Sequence, residues 1–244
     1  MLIGAGFAAG LAGTIAGLAS LFSYPALLAA GLGPTGANVT NTVSLALGSI
    51  TVVHSSRREL AGQRARMTQL AVTCAFGSAV GAALLLLTPP GVFERIVPFL
   101  VGGASVLVLA RRRQPEETER SSRVPYSSRL APLGVFVVSI YGGYFAAASG
   151  VLMFALLLAM LPESLLRVNA LKNVLMVVAD VIAAAGFVLF AHVSWGHALP
   201  LTIGLIIGSW LGPVVARLLP ARLLQIGIGL AGIGLAVKLG VDAY

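Results

Sequence analysis

Long apolar runs, separated by short polar breaks, fill most of the chain. They fall at about 2–32, 36–56, 68–88, 92–110, 130–161, 165–191, 196–216 and 221–240, and each is long enough to cross the roughly 30 Å hydrocarbon layer as a helix. Two of them, 2–32 and 130–161, are too long for one straight crossing, at 31 and 32 residues. Each opens a set of four runs. The pattern predicts an all-α integral membrane protein built from two repeats of about four apolar segments: residues 1–110, a connector over 111–129, and residues 130–244.

Composition makes the membrane reading firm. The chain is 58% hydrophobic and 10% charged, with a mean hydropathy of +0.97, and no soluble domain of this size can bury so much apolar surface. A single cysteine, Cys74, lies within an apolar run and excludes an internal disulfide or a thiolate metal cluster. The start, Met1-Leu-Ile-Gly-Ala-Gly-Phe, has no charged leader region and runs into a Gly-rich segment, so it reads as part of the fold rather than as a cleaved signal peptide.

The net charge of +8 raises nucleic acid as a partner, but the arginines are confined to loops. Arg57, Arg58, Arg64 and Arg66 share one loop; Arg111, Arg112, Arg113, Arg120, Arg123 and Arg129 fill the connector; Arg217 and Arg222 flank a third. No aromatic residues interleave with them to stack bases. Basic residues in alternate loops mark cytoplasmic segments. The connector, with Pro115, Glu116, Glu117, Glu119 and four serines, is the boundary between the halves.

These anchors fix an expected topology. With 57–66 and 111–129 inside, 68–88 runs out and 92–110 returns. With 217–222 inside, the loop His192-Val-Ser-Trp-Gly-His197, free of Lys and Arg, lies outside. Between the connector and that loop an odd number of crossings is needed, yet two apolar runs are available. The count closes when 130–161 enters and returns on one side as a re-entrant hairpin and 165–191 makes the crossing. Residues 2–32 do the same from the outside. Both termini then lie outside, and the two repeats are inverted, a layout typical of secondary transporters.

The residues inside both long runs suit a broken helix. Gly10, Gly13 and Gly17 lead to Ala19-Ser20, with Pro25 following; Gly142-Gly143 leads to Ala146-Ala-Ala-Ser149-Gly150. Small residues let the backbone turn, and Ser can cap a helix start. The same residues also serve as packing faces of ordinary tilted helices. Non-helical backbone at membrane depth persists only where protein or a water-filled cavity satisfies it, so two such tips meeting define a site.

Several stretches carry a family resemblance. Gly17-Leu-Ala-Ser20-Leu-Phe-Ser-Tyr-Pro25, Gly31-Leu-Gly-Pro34 and Ala37-Asn-Val-Thr40-Asn41 in the first half, with Arg58-Glu59-Leu60 in the basic loop, have partners in Tyr141-Gly-Gly-Tyr-Phe, Ser149-Gly150 and Asn169-Ala-Leu-Lys172-Asn173 in the second. Together they resemble the signatures of the TauE/SafE sulfite exporter family, the TSUP transporters, over nearly the whole chain. In this sequence Ala19-Ser20-Leu21 stands where the family has Gly-Gly-Gly, and Ala146 and Ala148 replace two glycines of the second turn. The resemblance implies a multi-pass exporter of small sulfur-containing anions, sulfite or organosulfonates, in the bacterial cytoplasmic membrane, driven by an ion gradient. It implies neither an enzyme nor a cofactor. Its partners would be a small anionic substrate and the lipid bilayer, and a homodimer is among the assemblies it allows.

The residues themselves point the same way. Helix N-termini aimed into a cavity offer N–H groups and partial positive charge to an anion, and no metal motif, carboxylate pair or phosphate loop competes. Ser20 and Ser149 at the tips, then Thr40, Asn41, Lys172 and Asn173 on the helices that follow, form the expected substrate site. Asn41 and Asn173 sit at matching places after each hairpin. Thr and Asn near helix ends also act as caps or interhelical bonds, and Lys172 can snorkel to the interface. Asp180 lies two turns beyond Asn173 on the same face, where an ionisable group is a candidate carrier of a coupled proton; a structural carboxyl paired with Lys is the alternative. His54, His192 and His197 fall at helix ends, and Trp195 and Tyr244 read as interface anchors. A channel with the tips as its filter, or a carrier of another small organic anion such as a carboxylate, remains an alternative function.

Overall fold

The computed structural model describes residues 1–49, 60, 64–110, 130–161, 163–215, 226, 230 and 233–241. Among them the only regular structure is helix: α1 (Leu2–Ala16), α2 (Ser20–Ala29), α3 (Pro34–Gly48), α4 (Arg64–Leu87), α5 (Pro90–Ala110), α6 (Leu130–Tyr144), α7 (Ser149–Met160), α8 (Leu165–Phe190) and α9 (Trp195–Val215), with a further helical stretch over 233–241. Single helices carry apolar spans long enough to cross a bilayer at Arg64–Leu87, Pro90–Leu107 and Arg167–Phe190. The chain is an all-α integral membrane protein. Arg57, Arg58, Glu59, Arg217, Arg222, His54, Tyr244 and the 111–129 connector lie outside the described residues.

Each of the two overlong runs is two helices with a break. The first run turns at Gly17, whose φ of 72° is left-handed, and restarts at Ser20. The second leaves helix after Tyr144 and restarts at Ser149 behind Ala148, whose φ of 57° makes it a left-handed residue with a side chain. Helices α1 and α2 pack on each other, as do α6 and α7. The helix after each hairpin starts differently. α3 begins behind extended Gly33 with Pro34 in its first turn, where a missing N–H costs nothing; α8 is capped by the Ser164 hydroxyl, which accepts from the Arg167 N–H.

The halves interlock rather than sit side by side. α1 runs along α9, and α4 runs along α6. Both crossings are made close by glycine. A Cβ on Gly208 would lie 2.1 Å from the Phe7 carbonyl oxygen, and one on Gly77 would lie 2.6 Å from that of Phe136. Gly204 against Ile3 and Gly81 against Ile140 repeat the arrangement one turn along, each at 2.1 Å. Backbones this close gain van der Waals contact that lipid tails cannot supply, which is how helices associate where the hydrophobic effect is absent.

This packing maps onto itself when the halves are exchanged. α1 on α9 becomes α6 on α4, α3 on α9 becomes α8 on α4, and α3 on α8 becomes itself. The broken hairpin of each half is thereby clasped by the other half's helices. Large apolar side chains on the outer surface, including Phe76, Phe99, Leu189, Phe190 and Trp210, are exposed, as expected of lipid-facing positions.

Candidate anion site at two helix breaks

The two breaks touch. A Cβ on Gly150 would lie 3.2 Å from the Gly17 oxygen, and one on Gly17 would lie 3.7 Å from both the Gly150 carbonyl carbon and Lys172 Nζ. Glycine is favoured at position 150 by the tight approach and at position 17 by its positive φ. The Ser20 hydroxyl crosses between halves to donate to the Ala146 oxygen at 3.2 Å, and the Ser149 hydroxyl donates to the same oxygen at 2.9 Å. Both hydroxyls therefore converge on one carbonyl. Binding an anion through them would exchange that carbonyl for an anion oxygen.

The second break also leaves donors over. Among the described residues the backbone N–H groups of Ala147, Ala148 and Gly150 reach no carbonyl. They sit at the start of α7, where the helix dipole adds partial positive charge. Lys172 enters from α8 with only 6% of its surface exposed. The meeting point thus collects two hydroxyls, several backbone N–H groups and an ammonium.

The other expected site residues surround this centre at different distances. Asn41 is 1% exposed, and its Oδ1 accepts from the Ser23 hydroxyl of α2. Its amide N–H groups make no hydrogen bond among the described residues. Thr40, fully buried, accepts from the Ser194 backbone N–H at 3.3 Å, so the loop between α8 and α9 folds down onto α3. That loop is itself held by Ser194 Oγ against His197 Nδ1 at 2.7 Å. Asn173 is half-buried and has no hydrogen-bond partner among the described residues. Asp180 lies about 12 Å further along α8 than Lys172 by helix rise, beside Ala179, whose carbonyl accepts from the Ser78 hydroxyl of α4 at 2.6 Å. It has neither a hydrogen bond nor an ion pair among the described residues.

Counting from the helix starts changes one correspondence. Asn41 is the eighth residue of α3, and the eighth residue of α8 is Lys172, not Asn173. The pair at matching depth is therefore a neutral amide and a cation. The same count aligns Asn38 with Asn169. Asn38, which the sequence reading passed over, is 1% exposed and donates from Nδ2 to the Tyr144 oxygen at 2.8 Å. It ties α3 of the first half to the carbonyl end of α6, where the second break begins. Its signal in the sequence was its recurrence: an Asn opens both signature segments.

At the end of the molecule that carries the start of α4, Arg66 and Arg167 both pair with Glu163, at 3.0 and 2.8 Å. The turn between α7 and α8 thus lies at the same end as the start of α4.

Comparison with known proteins agrees with this architecture. The chain is 26% identical to "Probable membrane transporter protein ORF9" of Sinorhizobium sp over 241 residues, 98% of this chain and 90% of that protein. It is 26% identical to "Probable membrane transporter protein YfcA" of Escherichia coli (strain K12) over 237 residues, 97% of this chain and 87% of the relative. A "Probable membrane transporter protein" of Haemophilus influenzae is 25% identical over 207 residues, 85% of this chain and 80% of that one. No solved structure matches. The profile of the family described as "Sulfite exporter TauE/SafE" covers residues 2–239, and the chain is a multi-pass membrane transporter that belongs to the TauE/SafE family.

Proposed function

We propose that this transporter exports small sulfur-containing anions, sulfite or organosulfonates, across a bacterial cytoplasmic membrane by alternating access, with the proton as the coupling ion. The observation that carries this reading is the cluster of donors where the two breaks touch: Ser20, Ser149, the N–H groups before α7 and the Lys172 ammonium. A compact oxyanion leaving water needs several donors at once, because each unmatched oxygen costs a few kcal/mol inside a membrane. Thr40, Asn41 and Asn173 complete the proposed substrate shell as the site opens.

The two repeats, 1–110 and 130–244, are read as inverted. The exchange of packing partners between halves supports this, as does the Arg66–Glu163 pair, which joins two loops expected on the cytoplasmic side. Alternating access then has a simple form: the two hairpins, each clasped by the opposite half, tilt about their contact and open first to one side and then to the other. Asp180 is the proposed proton carrier, being a carboxyl midway along the span Arg167–Phe190 that no described residue pairs.

Flux into proteoliposomes, with a panel of sulfite, thiosulfate, sulfonates and small carboxylates under an imposed pH gradient, tests the proposal. Saturable, gradient-driven movement of a sulfur oxyanion is the expected result. Carboxylates moving in preference would change the substrate, and conductance at ion-channel rates would replace the carrier by a channel. In Asp180→Asn, gradient-driven accumulation should vanish while anion exchange persists, since the amide keeps the shape but cannot titrate. Full proton-driven transport by that variant would remove Asp180 from the mechanism.

A further inference from the structure

Away from the breaks, the turn between α2 and α3, the first turn of α5 and the helical stretch over 233–241 enclose a groove of about 410 Å³. Its walls are mostly apolar, among them Leu28, Pro34, Leu235 and Leu239, yet two of its lining residues are charged and of opposite sign, Glu94 and Lys238. Neither makes an ion pair among the described residues. The packing that forms the groove is close: a Cβ on Gly102 would lie 3.5 Å from Ala236 Cβ, and one on Gly240 would lie 3.9 Å from Pro98 Cβ.

Two hydroxyls nearby are also unused. Tyr24 is 1% exposed, and its hydroxyl has no hydrogen-bond partner. The ring is held in place edge-on against Phe145, and the hydroxyl lies within electrostatic reach of Glu94. Thr35 Oγ1, next to Pro34 of the groove wall, is likewise buried without a partner. Both hydroxyls are enclosed by protein and neither residue lines the groove, so Glu94 and Lys238 set its polarity.

We propose that this groove binds the headgroup of an aminophospholipid, with its primary ammonium on Glu94 and its phosphate on Lys238. The charge pair fits a zwitterion that carries one group of each sign. An anionic glycerol headgroup gives Glu94 only neutral hydroxyl donors and brings a net negative charge that it repels; a trimethylammonium has no N–H to give to the carboxylate. The surroundings favour a lipid over a free zwitterion. Val92, Ile96 and Phe99 on α5, and Val237 and Val241 on the last helical stretch, are exposed apolar side chains beside the two charges, a surface along which acyl chains can lie. The site is separate from the proposed anion site and does not depend on it.

Native mass spectrometry of the detergent-purified protein tests this, with phosphatidylethanolamine, phosphatidylcholine and phosphatidylglycerol supplied at equal concentration. Phosphatidylethanolamine should be retained about tenfold more tightly than the other two, the span of one charge-assisted hydrogen bond. Glu94→Gln should bring phosphatidylethanolamine down to the level of phosphatidylglycerol, and Lys238→Gln should weaken both. Thermal melting in lipid-free detergent checks each fold; should Glu94→Gln melt early, the loss of retention in Lys238→Gln carries the test. Equal retention of the three lipids by the unaltered protein overturns the proposal. So does an undiminished preference for phosphatidylethanolamine in the folded variants.

Discussion

The break at 17–19 and the break at 145–148 solve one geometric problem with different residues. Each contains one left-handed residue, Gly17 at the end of α1 and Ala148 just before α7, each restarts helix at a serine, and the helix leading into each packs along one helix of the opposite half. At the first, Gly17 takes the left-handed turn without strain. At the second, Ala148 takes it with a Cβ, where the related signature has glycine. The helices that follow diverge as well, since the eighth residue is Asn41 in one half and Lys172 in the other. Pseudo-symmetry fixes where a site can form. Departures from it decide the chemistry: the cation and the unused N–H groups belong to the second half, and the first half supplies neutral donors.

Removing the charge should break that contrast most. Lys172→Gln should weaken anion binding about a hundredfold for divalent anions, and less for monovalent ones, by isothermal titration; this corresponds to roughly 3 kcal/mol for a buried charge contact. Asn41→Ala, its counterpart, should cost about tenfold to a hundredfold, one or two hydrogen bonds to a charged group. Asn173→Ala is expected to stay below Asn41→Ala, because Asn173 is half-buried and sits one position off the shared register; the reverse order would restore Asn173 as the symmetric partner. In both cases thermal melting must match that of the unaltered protein.

Smaller effects sharpen the comparison at the backbone. Gly17→Ala should lower stability by about 1–2 kcal/mol, since a side chain is disfavoured at its φ of 72°. Ala148→Gly should do the opposite, relieving up to about 1 kcal/mol, read as a raised melting temperature. Equal and small shifts in both variants would mean that the two breaks are not held in the conformations described.

Much of this was legible in the chain. Length alone exposed both hairpins, because 31 and 32 apolar residues exceed a single crossing, and Gly17 and Ser149 marked where the helices stop and restart. The partners of the hairpins were not legible. Gly6, Gly10, Gly204 and Gly208 announce close packing without naming the helix they pack on, and only the fold shows α1 against α9. The register of Asn41 slipped by one because it depended on caps, Gly33 and Ser164, that look nothing alike. Ala146 was invisible as a participant, since its contribution is a carbonyl oxygen and not a side chain. Tyr24 and Thr35 read as ordinary hydroxyls in sequence; their lack of partners is a property of the packing.

The central claim is that the contact between the breaks is where the transported anion binds, and one residue tests it most directly. Ser149→Cys on a Cys74→Ser background places a single reactive thiol at the start of α7. With the protein in proteoliposomes, a small methanethiosulfonate reagent should modify that thiol and abolish sulfonate flux, and a saturating sulfonate, which unlike sulfite neither consumes the reagent nor cleaves the mixed disulfide, should slow the modification in proportion to its occupancy. Flux at the unmodified rate after complete modification, with no protection by any anion of the panel, would contradict the account.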